Sequence, residues 1–410
     1  MAKYEYSDLP ERLIDSLVAE DLSMVICIPC YNEDHVVEAV ASVLMCEVPH
    51  GHSIEIIILM NASDDAPTDT YLRNESAYAA IDKMIVPVEF AVHPICISKI
   101  PKKKSGVGRA RKLAMDEAAR RLAESKSKLS IITCFDADCS CDENYITALI
   151  DHFKSSDKEA TSIHFEHPEA LLHGGETAHA IYLYELHLRY FIQYQKLIGL
   201  PFAFQTVGSS MACRLSGYHR IGGMNTRQAG EDFYFMHKFI KDDQCDRLHM
   251  TTVYPSARVS DRVPFGTGRA VGDMLQAAEP YRTYHPFSFE AIECVVKSVN
   301  QLYDAEVSCS ISDTYDKKIK EYLQGIEFDK KVDSIRANTR TLASFKKSFY
   351  QFFDAFVFMK YLHYMKDHHY PDIEVMTAAQ SLSSKLNLSN REPSTLLDAY
   401  RSRSKLIHLY

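Results

Sequence analysis

Short apolar runs that break off at polar residues recur through the first half of the chain. MVICIPCYNE (24–33) turns polar at Tyr31, Asn32 and Glu33. IEIIILMNASDD (54–65) turns polar at Asn61, Ser63 and Asp64. MIVPVEFAV (84–92) is a third run, LSIITCF (129–135) stops at Asp136, and ATSIHF (160–165) is a fifth. Runs of this length bounded by polar residues predict buried strands. Pro87 predicts an edge or bulged place for the third. Between the runs, apolar positions fall three and four apart. DHVVEAVASVLM (34–45) predicts a helix with Asp34 as its N-cap. GVGRARKLAMDEAARRLAES (106–125) predicts another, with Val107, Ala110, Ala114, Ala118 and Leu122 along one stripe. Residues 8–20 predict a short helix capped by Ser7. Strands alternating with helices predict an α/β layered fold with a largely parallel sheet. In such sheets ligands bind beyond the carboxyl ends of the strands. Each polar loop named here lies at such an end.

The pattern changes after about residue 280. Residues 288–410 hold few strand-like runs and several helical ones. FYQFFDAFVFMKYLHYM (349–365) carries Phe349, Phe352, Phe353, Phe356 and Met359 at helical steps, with Asp354 and Lys360 on the other face. It predicts one core-facing helix rather than a membrane-surface helix. The aromatic segment 178–199 predicts a long helix that packs. Tyr190 and Tyr194 share a stripe there and suit either packing or sugar stacking. The predicted organisation is an N-terminal helical extension (1–22), an α/β domain (23–280) and a helical C-terminal domain (281–410).

Composition narrows the function classes. The apolar share of 46% and charged share of 25% are those of an ordinary globular protein. A net charge of −9 argues against general nucleic-acid binding by phosphate neutralisation. No apolar run is long enough to span a membrane, and the first residues show no signal-peptide core. Cysteines set inside apolar runs, such as Cys27, Cys96 and Cys134, suit reduced thiols in a cytoplasmic protein. Cys27 and Cys30 have Cys-x-x-Cys spacing, but no second pair stands at zinc-ribbon distance.

Two features carry candidate chemistry. On a regular strand, Asp136 and Asp138 point to the same side. Two carboxylates held together need a counter-charge, and a hard divalent ion with oxygen ligands is the natural one. A solvated acidic turn is the plainer alternative. The second feature is the start of 106–125. Arg109, Arg111 and Lys112 occupy its first turns, where the helix dipole disfavours cations, and Lys102, Lys103 and Lys104 precede it. A phosphate bound at the free N–H groups would relieve that conflict, and Gly106 and Gly108 permit close backbone approach. A solvated basic patch is the alternative.

Taken in order, these loops resemble the family 2 glycosyltransferases. IPCYNE, NASDD, GVGRARKLAMDEA, DAD, then GSSMACR (208–214), GGMN (222–225) and GEDFYF (230–235) stand in the family's sequence of motifs, over about residues 22–270. RVPFGTG (262–268) resembles a feature of a bacterial subgroup. The resemblance implies a GT-A fold, Rossmann-like with a mostly parallel sheet. It implies a nucleoside-diphosphate sugar donor, a hydroxyl acceptor and Mn2+ or Mg2+. By the same resemblance, Pro29, Tyr31, Asn32, Glu33, Asn61, Ser63, Asp64, Gly106, Arg109 and Asp136 face the donor. Asp138 is the direct metal ligand, and Asp136 contacts ribose or metal. Asp232 is the general base and Glu231 holds the acceptor; a helix-start acidic pair serving the dipole is the plainer reading of these two. His249 and Asp261 are the candidates for a third ligand, and neither fits the family pattern cleanly. Arg258 and Arg262 suit a diphosphate or an acidic acceptor.

A non-catalytic nucleotide-sugar scaffold on the same fold is the alternative of another class. A haloacid-dehalogenase-type phosphatase would carry its Asp-x-Asp on the first strand, with Thr or Val where Ser140 stands. A nucleotidyltransferase would open on a Gly-rich loop instead of IPCYNE. A peripheral membrane contact stays open. Inversion is the expected stereochemistry, because a base follows the metal site.

Overall fold

The computed structural model describes residues 2–168, 175–256, 266–277, 279–304, 314–388 and 393–406. The apolar runs pair into one nine-stranded sheet. Its strands are β1 (Ala2–Glu5), β2 (Leu22–Cys30), β3 (Ser53–Ser63), β4 (Phe90–Ile100), β5 (Ile131–Cys134), β6 (Ser140–Cys141), β7 (Ala160–Phe165), β8 (Met211–Arg214) and β9 (Cys245–Tyr254). They lie in the order β1-β4-β3-β2-β5-β8-β7-β9-β6. Pairs from β1 across to β5 are parallel, as is β7 with β9, while β8 runs antiparallel to both its neighbours and β6 to β9. Every residue of β2 is buried, which is why it reads as a continuous apolar run.

The topology places the site. From β2 the chain builds outward through β3 and β4, then returns to lay β5 on the other side of β2. Strand order therefore reverses between β2 and β5, the place where open α/β sheets hold ligands. Cys27 and Cys134 are in register there, and the Phe135 N–H donates to the Cys27 carbonyl at 3.1 Å. The loops after Cys30 and after Cys134 thus start side by side. Helices α1 (Val36–Leu44), α2 (Thr68–Ile81), α3 (Val107–Glu124) and α4 (Tyr145–Ser155) follow β2, β3, β4 and β6. On α3 the predicted stripe is largely the buried one: Ala110, Ala114, Ala118 and Leu122 are all buried.

Several predicted elements move. Residues 8–20 form no helix beyond the single turn Tyr6–Asp8. Their backbone is instead tied to side chains of α3: Leu13 and Ile14 N–H groups donate to the Glu117 carboxylate, and the Ser16 carbonyl accepts from Arg121. Ahead of them, Ala2–Glu5 adds a strand beside β4. The third strand is Phe90–Ile100, not 84–92, and it lies between β1 and β3 rather than at an edge. Pro87 stands in the turn before it, and Ile85 and Val88 are 96% and 94% exposed, so the front of that apolar run never enters the core. Asp34 does not cap α1. The Glu33 carboxylate accepts from the N–H groups of Asp34 and His35, and Asp34 pairs with Arg73. The predicted helix 349–365 is two helices, Leu342–Phe352 and Ala355–His368, because the Asp354 carboxylate caps the second through the N–H groups of Phe356 and Val357, both at 3.0 Å.

Contacts group the chain into two units: 1–174, 206–239 and 243–269 in one, and 175–205, 240–242 and 270–410 in the other. The first holds the sheet. In the second, the long aromatic helix Gly175–Leu197 is a core element. Tyr190 and Tyr194 are fully buried, Tyr194 stacks on Phe289 at 4.5 Å, and their hydroxyls donate to Tyr284 and Glu290. Packing, not sugar stacking, occupies both rings. Glu185 on the same helix is buried between Arg189 and Arg401. Among the described residues no helix is long and apolar enough to cross a membrane.

Candidate active site

The loops at the carboxyl ends of β2 and β3 are joined by one buried side chain. Asn74 of α2 accepts from the Asn32 N–H at 3.1 Å and donates to the Asn61 carbonyl at 3.1 Å. Asn32 holds a left-handed backbone (φ 51°), a conformation Asn tolerates in turns. Pro29 is buried next to the end of β2, Tyr31 is half-buried beyond it, and Glu33 is buried ahead of α1, where its carboxylate accepts from the backbone. The second loop is braced by the lysine run. Asp64 accepts from the Lys102 N–H at 3.1 Å, and Asp65 pairs with the Lys102 ammonium at 2.7 Å and accepts from Ser63. That ammonium, with the Ser63 hydroxyl, holds the Asp65 carboxyl below its usual range.

Asp136 and Asp138 lie past the end of β5, on a turn closed by the Cys139 N–H to the Asp136 carbonyl at 3.1 Å. The same-side strand geometry therefore does not apply. Asp136 meets a cation supplied by the chain itself: Arg111 of α3 donates to it at 2.7 Å and also to Glu231. The Arg111 and Glu231 side chains are only 2% and 4% exposed, whereas Asp136 is 35% exposed. Arg111, placed by sequence in a phosphate cradle, is instead buried between two carboxylates. Gly208 makes room for it: a Cβ there would lie 2.8 Å from the guanidinium. Lys112 likewise finds Asp116, one helical turn on. Half the basic character of the α3 start is thus answered within the fold.

What remains at that start is different. Gly106 precedes α3 with φ 127° and supplies no side-chain cap, so the first N–H groups keep their capacity for an acceptor. Arg109 is half-buried, its guanidinium 5.8 Å from the Tyr6 ring, and its buried Nε has no hydrogen-bond partner among the described residues. The backbone approach allowed by Gly108 is to the protein, not to a ligand. A Cβ would fall 2.1 Å from the Arg227 carbonyl oxygen. This contact sets the α3 start against the loop that leads to Glu231.

Glu231 and Asp232 begin the helix Glu231–Ile240. Asn225 donates to the Glu231 carbonyl at 2.8 Å and accepts from the Arg227 N–H, while Arg227 lies 3.6 Å over the Tyr234 ring. Asp232 is half-buried, and its carboxylate accepts from the Phe233 N–H at 2.7 Å. Burial raises its pKa, against the pull of Arg111 and that N–H. Glu231 faces Arg111, so its carboxylate is engaged inside the protein rather than turned to an acceptor.

No group of three His, Cys, Asp or Glu side chains forms a cation cage among the described residues. Asp136, shared with Arg111, and Asp138, half-buried beside it, offer hard oxygens. Such a pair fits a Mg2+ or Mn2+ ion whose other ligands are phosphate oxygens and water better than a preformed cage. His249 lies in β9, its ring 6.1 Å from that of His164. Asp261, Arg258 and Arg262 lie outside the described residues, as does most of RVPFGTG.

The sequence reading missed Asn74, the role of Arg111 as a bridge, and Tyr6 under Arg109. An asparagine buried on the helix after NASDD carries no local signal. Arg111, by contrast, sits among the buried alanines of α3, at a position where a charge needs a partner.

Residues 25–214 match the family model described as Glycosyl transferase family 2. No curated protein sequence matches the chain. Among solved structures, S. aureus TarS 1–349 in complex with UDP-GlcNAc is 12% identical, with 93% of this chain and 90% of that one covered and a TM-score of 0.38. The same protein in complex with UDP gives 12%, 90%, 93% and 0.39. The loops that follow β2, β3 and β5 all lie within the span that matches the family 2 glycosyltransferase model, and Glu231 and Asp232 lie beyond its end.

Proposed function

We propose that the chain transfers a sugar from a nucleoside diphosphate to an acceptor hydroxyl, with inversion, in a cytoplasmic setting. The observation that carries this reading is the Arg111 bridge. It links the loop of Asp136 and Asp138 to the helix start of Glu231 and Asp232 through a buried guanidinium. The loops of β2 and β3 receive the nucleoside. The open N–H groups of α3 and Arg109 hold the diphosphate. Asp138, with Asp136, would hold Mg2+ or Mn2+, which when bound offsets charge on the leaving diphosphate. The acceptor oxygen attacks the anomeric carbon, the bond to the diphosphate breaks with its electron pair leaving on phosphate, and Asp232 takes the hydroxyl proton. Glu231 acts through Arg111 as a positioning residue.

A thermal-shift panel of nucleoside-diphosphate sugars with and without Mn2+ identifies the donor, because a ligand of the native state raises its stability. With that donor, Asp232→Asn should lower transfer by roughly 10²–10⁴-fold and leave donor affinity nearly unchanged. Asp138→Asn should weaken donor binding only when Mn2+ is present. Wild-type transfer by Asp232→Asn would remove the base assignment. Donor binding without any turnover would favour the scaffold.

A further inference from the structure

Two thiols far apart in sequence meet next to the Asp136–Asp138 turn. Cys46, just past the end of α1, and Cys141, in β6, have their Sγ atoms 3.7 Å apart. Their surroundings hold them there. The Cys141 N–H donates to Ser42 Oγ at 3.0 Å, Cys46 Sγ lies 3.6 Å from the carbonyls of Ser42 and Asp142, and the Glu47 N–H donates to Glu143 at 3.3 Å. Cys141 stands three residues beyond Asp138 and is half-buried. We propose that Cys46 and Cys141 are a reversible disulfide site, closed by a hydroperoxide, that fixes the Asp138–Cys141 segment onto α1.

The chemistry balances. The Cys46 thiolate attacks the peroxide, taking one oxygen to become a sulfenic acid while hydroxide leaves. The Cys141 thiol then attacks that sulfur, the S–S bond forms, and water leaves with the proton. Two thiols lose two electrons and one H2O2 becomes two waters. Sulfur atoms in contact must close to about 2.05 Å, so residue 141 is drawn toward α1. Cys46 is buried, but the hydrogen bond it shares with Cys141 outweighs that burial and lowers its pKa, which favours its thiolate as the nucleophile. Cys27, Cys134, Cys139, Cys213 and Cys245 are buried with their pKa values raised by burial, and are poor competitors.

The test uses the full chain. It is exposed to H2O2, its free thiols are alkylated, and it is digested without reductant. The expected product joins the peptides of Cys46 and Cys141, two hydrogens lighter, and dithiothreitol restores both. Hydrogen exchange across residues 138–143 should slow in the oxidised protein and recover on reduction. Sulfinic acid on Cys46 without a cross-link, a different cysteine pair, or unchanged exchange would each overturn the proposal. None of these readouts needs a variant or a substrate. An effect on catalysis rests on the glycosyl-transfer reading. There, oxidation should lower turnover about tenfold or more, since a misplacement of about 1 Å can cost on the order of 10²-fold, and Cys141→Ala should make turnover indifferent to peroxide.

Discussion

Arg111 shows how much one side chain can decide. It is a fully charged group in the core, and it is tolerated because its fork meets two carboxylates from distant parts of the chain. Removing it would leave Glu231 buried without its cation. Arg111→Ala should therefore destabilise the protein by about 3–5 kcal/mol, read from urea melts. Arg111→Lys keeps the charge but not the fork, so it should recover part of that loss and little of the transfer rate. Recovery of full rate would show that charge alone, not alignment of the two loops, is what Arg111 supplies. Asp232 carries a prediction in pH. Burial raises its pKa, so the ionised base needed for transfer is lost as pH falls through a value above the usual carboxylate value of about 4. The acid limb of kcat/KM should stand correspondingly high and should vanish in Asp232→Asn.

Among the elements, α3 does the most. Its alanine stripe faces the core, Arg111 joins Asp136 to Glu231, Arg121 forms a buried pair with Glu55 of β3, and Gly106 leaves its first turn without a side-chain cap. Arg109→Ala should cost a nucleoside diphosphate roughly 1.5–3 kcal/mol of affinity by calorimetry and leave a free nucleoside unaffected. If both weaken alike, α3 is not the cradle. Gly108 tests how α3 is seated. Since a Cβ would meet the Arg227 carbonyl, Gly108→Ala must push apart α3 and the loop ahead of Glu231. It should lower transfer more than it lowers the melting temperature. The reverse would show that the contact serves stability alone.

At the scale of the whole molecule, the long helix Gly175–Leu197 is the element to watch. It falls between sheet strands in sequence, yet its tyrosines and Glu185 are buried against residues beyond 280. A chain cut after residue 280 strips those partners away and exposes Tyr190, Tyr194, Ile181 and Leu186, all buried in the full chain. It should aggregate or bind a hydrophobic dye strongly. A well-behaved, active product would mean that the C-terminal helices serve a partner rather than this helix.

The local order of the chain was legible because it rests on local rules. Apolar runs of strand length, alanines at helical steps and carboxylates where the runs stop are enough for an α/β sheet with its site at the strand ends. The seven motifs in order are enough for the resemblance to family 2 glycosyltransferases. Where reading failed, the deciding partner lay far along the chain. Leu13 and Ile14 look helical but give their N–H groups to Glu117, and Ile85 and Val88 look like a strand but stay in water. Asp136 and Asp138 look like a matched pair, yet a turn divides them and Arg111 takes one. Sequence determined which residues carry charge and where each run stops. Only tertiary structure decided which charges meet, because an ion pair is made in space, across 25 residues from Arg111 to Asp136 and 120 to Glu231.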